Sequence, residues 1–147
     1  MTGAELKTLL ESLGLSVQWA CEHIAGGVSK RTFEYWLSGR DGSTPAVPED
    51  VAANVLELER MAVRAASESV GQAQLTRAKR GAPEVVELYR YRTDAEMWEA
   101  HPEMRTLPAT YHAAMLARSR ALLLEQGFTV EIQWRDRRSE IAFPRTD

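Results

Sequence analysis

The chain has 147 residues, 18 Lys and Arg against 21 Asp and Glu, a net charge of −3 and one cysteine. That length makes one domain, or a small domain with a second lobe of similar size, each marginal alone and in need of mutual packing or dimerisation. A single cysteine excludes an internal disulfide framework, no apolar run approaches the ~20 residues of a membrane helix, and MTGAELKTLL has neither the basic segment nor the apolar core of an export signal, so a reducing cytoplasm is expected.

The acidic balance argues against nucleic-acid binding by bulk charge, yet the charge is unevenly spread. From Ser29 to Arg40 the cations Lys30, Arg31 and Arg40 meet only Glu34, whereas residues 48–59 carry Glu49, Asp50, Glu57 and Glu59 with no cation. A local basic patch can direct a phosphate-bearing partner, although an ordinary solvated face has the same composition.

In chain order, GAELKTLLESLGL sets Leu6, Leu9, Leu10 and Leu13 at helical spacing with Gly14 as the stop. Ser16 caps a second helix whose Val17, Ala20, Cys21 and Ile24 form one inward stripe, ended by Gly26 and Gly27. Cys21 therefore reads as a small core residue rather than a nucleophile, and His23 falls on nearly the opposite side of the same helix, so the two make no pair. Ser29 caps a third helix, with Val28 placed to staple onto Phe33. At 100° per residue, Phe33, Trp36 and Leu37 share one side, while Lys30, Arg31, Glu34, Tyr35 and Ser38 fan across the other, and Gly39 supplies a left-handed exit. A short helix anchored by aromatics and presenting a row of polar side chains has the geometry for the DNA major groove. The row predicted to face bases is Ser29, Lys30, Arg31, Glu34, Tyr35 and Ser38.

This succession of helix, Gly14-Leu15-Ser16, small-residue helix, glycine turn and VSKRTFEYWLSGR resembles the helix-turn-helix of Cro/C1-type (XRE-like) phage and bacterial repressors. The pieces ACEHIAGGVSKRTFEYWLSG and VPEDV are most similar to the anti-CRISPR-associated repressors and related short regulators of phages and enterobacteria. The resemblance implies a sequence-specific repressor of its own operon, bound to double-stranded DNA as a homodimer on a palindrome. It also implies that Ser16, Gln18 and Arg40, flanking the groove, hold phosphates, and that a long acid-led helix precedes a dimerisation lobe. The turn from Ile24 to Ser29 is longer than in that family, RDGSTPA has the look of an insertion, and Leu37 replaces a polar residue.

Pro48-Glu49-Asp50 opens a further helix with Val51, Val55, Leu58 and Ala62 inward, and Gly71 leaves open whether one helix or two reach Arg80. RAKRG at its end reads as a solvated terminus, with a DNA-contacting tail as the other reading. Beyond Gly81-Ala82-Pro83, VVELYRY is strand-like, Thr93-Asp94-Ala95-Glu96 has capping-box spacing for a short helix, and Pro108 opens another that ends at Gly127. FTVEIQW alternates, with Phe128, Val130, Ile132 and Trp134 on one face, and a last strand is expected near Ile141 and Phe143. Those four apolar residues exceed what so small a lobe can bury, which points to dimerisation through them.

The chain thus reads as α+β, with a helix-turn-helix domain and long helix over 1–80 and an α+β dimerisation lobe over 83–147. His23, His101 and His112 lie in separate elements without ligand spacing, GRDGST lacks the lysine of a phosphate loop, and Glu96, Glu99 and Glu103 suit a solvated face. No metal, cofactor or enzymatic activity is expected. The aromatics Tyr89, Tyr91, Trp98 and Trp134 read as core or interface rather than a ligand pocket. The competing function is an antitoxin or adaptor whose C-terminal lobe binds a partner protein.

Overall fold

Helix caps and glycine exits divide the N-terminal third into short elements. The computed structural model describes residues 1–39, 46–81 and 85–135. Along it run α1 (Gly3–Ser12), α2 (Val17–His23), α3 (Lys30–Ser38), α4 (Glu49–Arg80), β1 (Val86–Tyr91), α5 (Asp94–Ala100), a 3₁₀ turn (Pro102–Met104), α6 (Ala109–Glu125) and β2 (Val130–Arg135). The fold is α+β and mostly helical. Its contacts form two compact units, Met1–Ala62 and Val63–Asp147, with the boundary inside α4.

In the first unit each short helix is started by a hydroxyl. Thr2 Oγ1 accepts the Glu5 N–H at 3.0 Å, Ser16 Oγ accepts that of Trp19 at 3.1 Å, and Ser29 Oγ accepts that of Thr32 at 3.1 Å. Each of these bonds satisfies one amide that the helix itself leaves unpaired. Leu6, Leu10 and Leu13 are buried as their spacing predicts, and so are Ala20, Cys21, Ile24 and Phe33. Burial pushes the Cys21 thiol pKa up, so this cysteine packs as a small apolar group and is no thiolate nucleophile. Gly26 and Gly27 take φ of 67° and 83°, a conformation that side chains disfavour, and so turn the chain from α2 toward α3. Asn54 on α4 donates from Nδ2 to the Ile24 carbonyl at 3.0 Å, holding the end of α2.

α4 is one helix of 32 residues that runs through Gly71. Glu49 and Asp50 lie in its first turn and Arg77, Lys79 and Arg80 in its last, each set opposing the local end of the helix dipole.

The second unit is built on β1 and β2, which pair in parallel with Val86 opposite Val130 and Tyr91 opposite Arg135. Parallel neighbours need a crossover, here supplied by α5, the 3₁₀ turn and α6. Thr93 Oγ1 caps α5 by accepting the Glu96 N–H at 3.2 Å, but the returning half of the expected box is absent, and Glu96 Oε2 is buried without a partner. α6 has no side-chain cap of its own at Pro108; Asp94 Oδ1 accepts the Ala109 N–H at 2.7 Å instead. Ala73, Leu123 and Phe128 form a buried cluster, with Val70, Val86, Leu88 and Val130 against it. β2 then leaves this cluster: Ile132 is 40% and Trp134 44% exposed. The strand expected near Ile141 and Phe143 lies outside the described residues.

Gly3 and Gly71 give opposite expectations for the same substitution. A Cβ on Gly3 would stand 2.7 Å from the Leu37 carbonyl oxygen and 2.9 Å from its carbonyl carbon, with the Trp36 oxygen closer still, whereas one on Gly71 meets nothing within 4 Å. Gly3→Ala should therefore lower stability by roughly 1–3 kcal/mol through forced backbone movement, against its helix propensity. Gly71→Ala should raise it by ~0.5–1 kcal/mol, because a mid-helix glycine costs backbone entropy. Thermal melts of the two variants read both signs.

Candidate nucleic-acid interface

α3 packs against both α1 and α2. Phe33 is fully buried, and its ring meets Trp36 at 5.6 Å with a 56° tilt, so the inward side of α3 is fixed by aromatic packing. Gly39 ends it at φ 50°. At 100° per residue the direction opposite Phe33 and Trp36 is occupied by Arg31, Tyr35 and Ser38, with Lys30 and Glu34 on one flank and Thr32 on the other.

Of the six residues expected to face bases, Ser29 is the cap that precedes α3 and the other five lie on the helix away from Phe33, and they differ in how far they are already engaged. Ser29 accepts the Thr32 N–H and donates its hydroxyl to Thr32 Oγ1 at 2.9 Å, so the cap uses it twice. Ser38 Oγ donates to the Tyr35 carbonyl at 2.9 Å. Lys30 Nζ lies 3.9 Å from Glu34 Oε1, an exposed pair one turn apart that is worth little to stability but partly neutralises that flank. Arg31 is exposed and has no ion pair among the described residues, and Tyr35 is half exposed. Thr32, exposed on the flank away from Lys30 and Glu34, is held by Ser29 through both its amide and its hydroxyl.

Of the three residues assigned to phosphates, Ser16 is exposed at the start of α2, where its side chain caps Trp19. Gln18 Nε2 donates to Glu22 Oε1 at 2.7 Å, which sets a carboxylate beside the amide. Trp19 stacks on His23 at 4.9 Å on the same helix. Arg40 lies outside the described residues.

No known family profile matches the chain. It is 47% identical over 58 residues to the Aca2 repressor of Pectobacterium phage ZF40, a stretch covering 40% of this chain and 46% of that protein. This relates the chain to an anti-CRISPR-associated repressor over part of its length. The match spans about half the length of that relative.

The described residues hold no group of three His, Cys, Asp or Glu able to bind a metal ion, nor a helix long and apolar enough to cross a membrane. They do bring together two histidines that are separate in sequence. His101 and His112 stack at 5.4 Å, the Tyr91 ring meets both edge-on, and the Tyr91 hydroxyl lies 3.2 Å from His101 Nε2. His101 Nδ1 lies 3.3 Å from Glu103 Oε1. His112 is 8% exposed, and its Nδ1 is buried without a partner.

Burial, and then the neighbouring His101, push the His112 pKa down from 6.5 to about 4. The fold thus holds this ring neutral while the unfolded chain takes up a proton first. The stabilisation is complete above pH 6.5 and is lost as pH falls from 6.5 toward 4. The loss should be on the order of 2 kcal/mol, allowing for the ring's partly solvated edge. Denaturant titrations from pH 7.5 to 4 should show it in the wild type, and His112→Phe should flatten that part of the profile.

Proposed function

We propose that the protein is a sequence-specific DNA-binding transcriptional repressor that acts as a homodimer on a palindromic site and regulates its own operon. The observation that carries this reading is α3: a capped helix locked from behind by Phe33 and Trp36, with Arg31 and Tyr35 standing free on its outer face. The similarity to a phage repressor supports it. Arg31 would take guanine O6 and N7 with its two-pronged donor, the commonest specific contact in the major groove. The Lys30–Glu34 pair would lie along the groove wall, and Ser29 and Ser38 would keep the helix in register. Ser16, Gln18 and Arg40 would hold phosphates on either side. Repression would follow from occupancy of the site, without catalysis.

Dimerisation is assigned to Phe128, Val130, Ile132 and Trp134. Phe128 and Val130 belong to the packed cluster, while Ile132 and Trp134 continue the same alternation into solvent. Half-sites about one helical turn apart would each receive one α3.

Selection of duplexes from a random pool by the full chain tests the reading, and enrichment of a palindrome is expected. Arg31→Ala should cost ~1–3 kcal/mol on the enriched duplex and little on random DNA. Arg40→Ala should weaken both alike and reduce the salt slope by about one unit. If Arg31→Ala stays folded and binds as the wild type does, α3 is not a DNA-reading helix. Trp134→Ser should shift the chain toward monomer in sedimentation at micromolar concentration, and a wild-type chain already monomeric there removes the dimer from the proposal.

A further inference from the structure

Among the described residues, Tyr35 is the aromatic side chain that the fold itself does not use. The other aromatic rings described are buried, packed on another ring, covered by a guanidinium or tied by a hydrogen bond. Trp19 lies on His23, Trp36 against Phe33, Tyr89 beneath Arg135, and Trp134 beneath Arg90 and Arg92. Tyr91 meets two imidazoles, the Trp98 indole donates to the Leu107 carbonyl, and Tyr111 and Phe128 are buried. Tyr35 is 50% exposed, and among the described residues no ring or cation lies against it. Its position is equally distinctive, because it stands one turn after Arg31 on the same outer direction of α3.

A phenol ring left exposed on a reading helix can bury its face against an apolar feature of the partner. Base edges in the major groove offer one such group, the C5-methyl of thymine. Four residues of α-helix rise about 6 Å, slightly less than two base steps of ~3.4 Å. With Arg31 on a guanine, the Tyr35 ring therefore reaches the pyrimidine edge one or two base pairs away. We propose that Tyr35 is a specificity-determining residue whose ring packs on a thymine 5-methyl group, so that α3 reads a guanine and a nearby thymine as one unit. This rests on the DNA-reading function proposed above.

The test uses the full chain and the duplex it enriches from a random pool. Replacing each thymine in turn by deoxyuridine removes only the methyl group, and 7-deazaguanine at each guanine locates the base that depends on Arg31. Deoxyuridine at one position, one or two base pairs from that guanine, should weaken binding about three- to ten-fold. Tyr35→Ala should lose a similar factor and become indifferent to that replacement, while Tyr35→Phe should keep both the affinity and the sensitivity. Wild-type binding unchanged by deoxyuridine at every thymine, a Tyr35→Ala chain still sensitive to it, or a Tyr35→Phe chain that loses affinity each overturns the assignment. In those cases binding that still depends on Arg31 leaves the repressor reading standing. If no duplex is enriched, or if Arg31→Ala binds as the wild type does, that reading falls and the methyl contact falls with it.

Discussion

A helix of nine residues cannot hold its shape alone in water, and the first unit is arranged around fixing α3. Phe33 is fully enclosed, Trp36 leans on it, Ser29 supplies the missing acceptor at the start, and Gly39 turns the chain away at the end. The backbone of α1 approaches so closely at Gly3 that no side chain fits between it and the Leu37 carbonyl. Rigidity gained this way consumes polar groups. The Ser29 and Ser38 hydroxyls are both turned onto α3 itself, and Lys30 and Glu34 are partly turned on each other. Among the described residues, the outward groups without such an engagement are Arg31 and Tyr35.

How much of this was legible in the sequence depends on the range of the interaction. Caps, glycine exits and leucine spacing act within one or two turns, so α1, α2 and α3 and the burial of Leu6, Ala20, Cys21 and Phe33 followed from local pattern. The face of α3 was legible for the same reason, because helical geometry alone sorts Arg31 from Phe33. The engagement of its side chains was not, since a serine at a cap and a serine that is free to read a base look alike in a sequence. Gly71 left α4 divisible, yet the helix runs through it; its backbone there is helical and leaves open space where a side chain would be.

Contacts between distant elements were the least legible. His101 and His112 sit on different elements, with a 3₁₀ turn and the start of α6 between them, and nothing in their spacing announces a stack. The parallel pairing of β1 with β2 has the same character, because it depends on the crossover rather than on either strand. The alternation of FTVEIQW was read as one apolar face, and the cluster of Ala73, Leu123 and Phe128 explains why that face divides. It reaches as far as Val130, whereas Ile132 and Trp134 lie along the strand past it. Arg90 and Arg92 cover the Trp134 ring at 5.0 and 4.4 Å, which gives the exposed indole a polar surround without burying it.

These cation–π contacts also bear on how a chain of net charge −3 would hold DNA. Arg77 lies 3.7 Å from the centre of the Phe128 ring, and Arg135 sits over Tyr89 as Arg90 and Arg92 sit over Trp134, so four arginines of the second unit are occupied by aromatic faces. Under the proposed function, those four of the chain's 18 Lys and Arg would contribute less to phosphate contacts and so to counterion release. Binding would also draw on base contacts at α3 and on linkage between two subunits, which makes the second binding event intramolecular without adding any contact. Under that reading, base contacts by Arg31 and Tyr35 and linkage between subunits would carry the discrimination that bulk charge on an acidic chain does not supply.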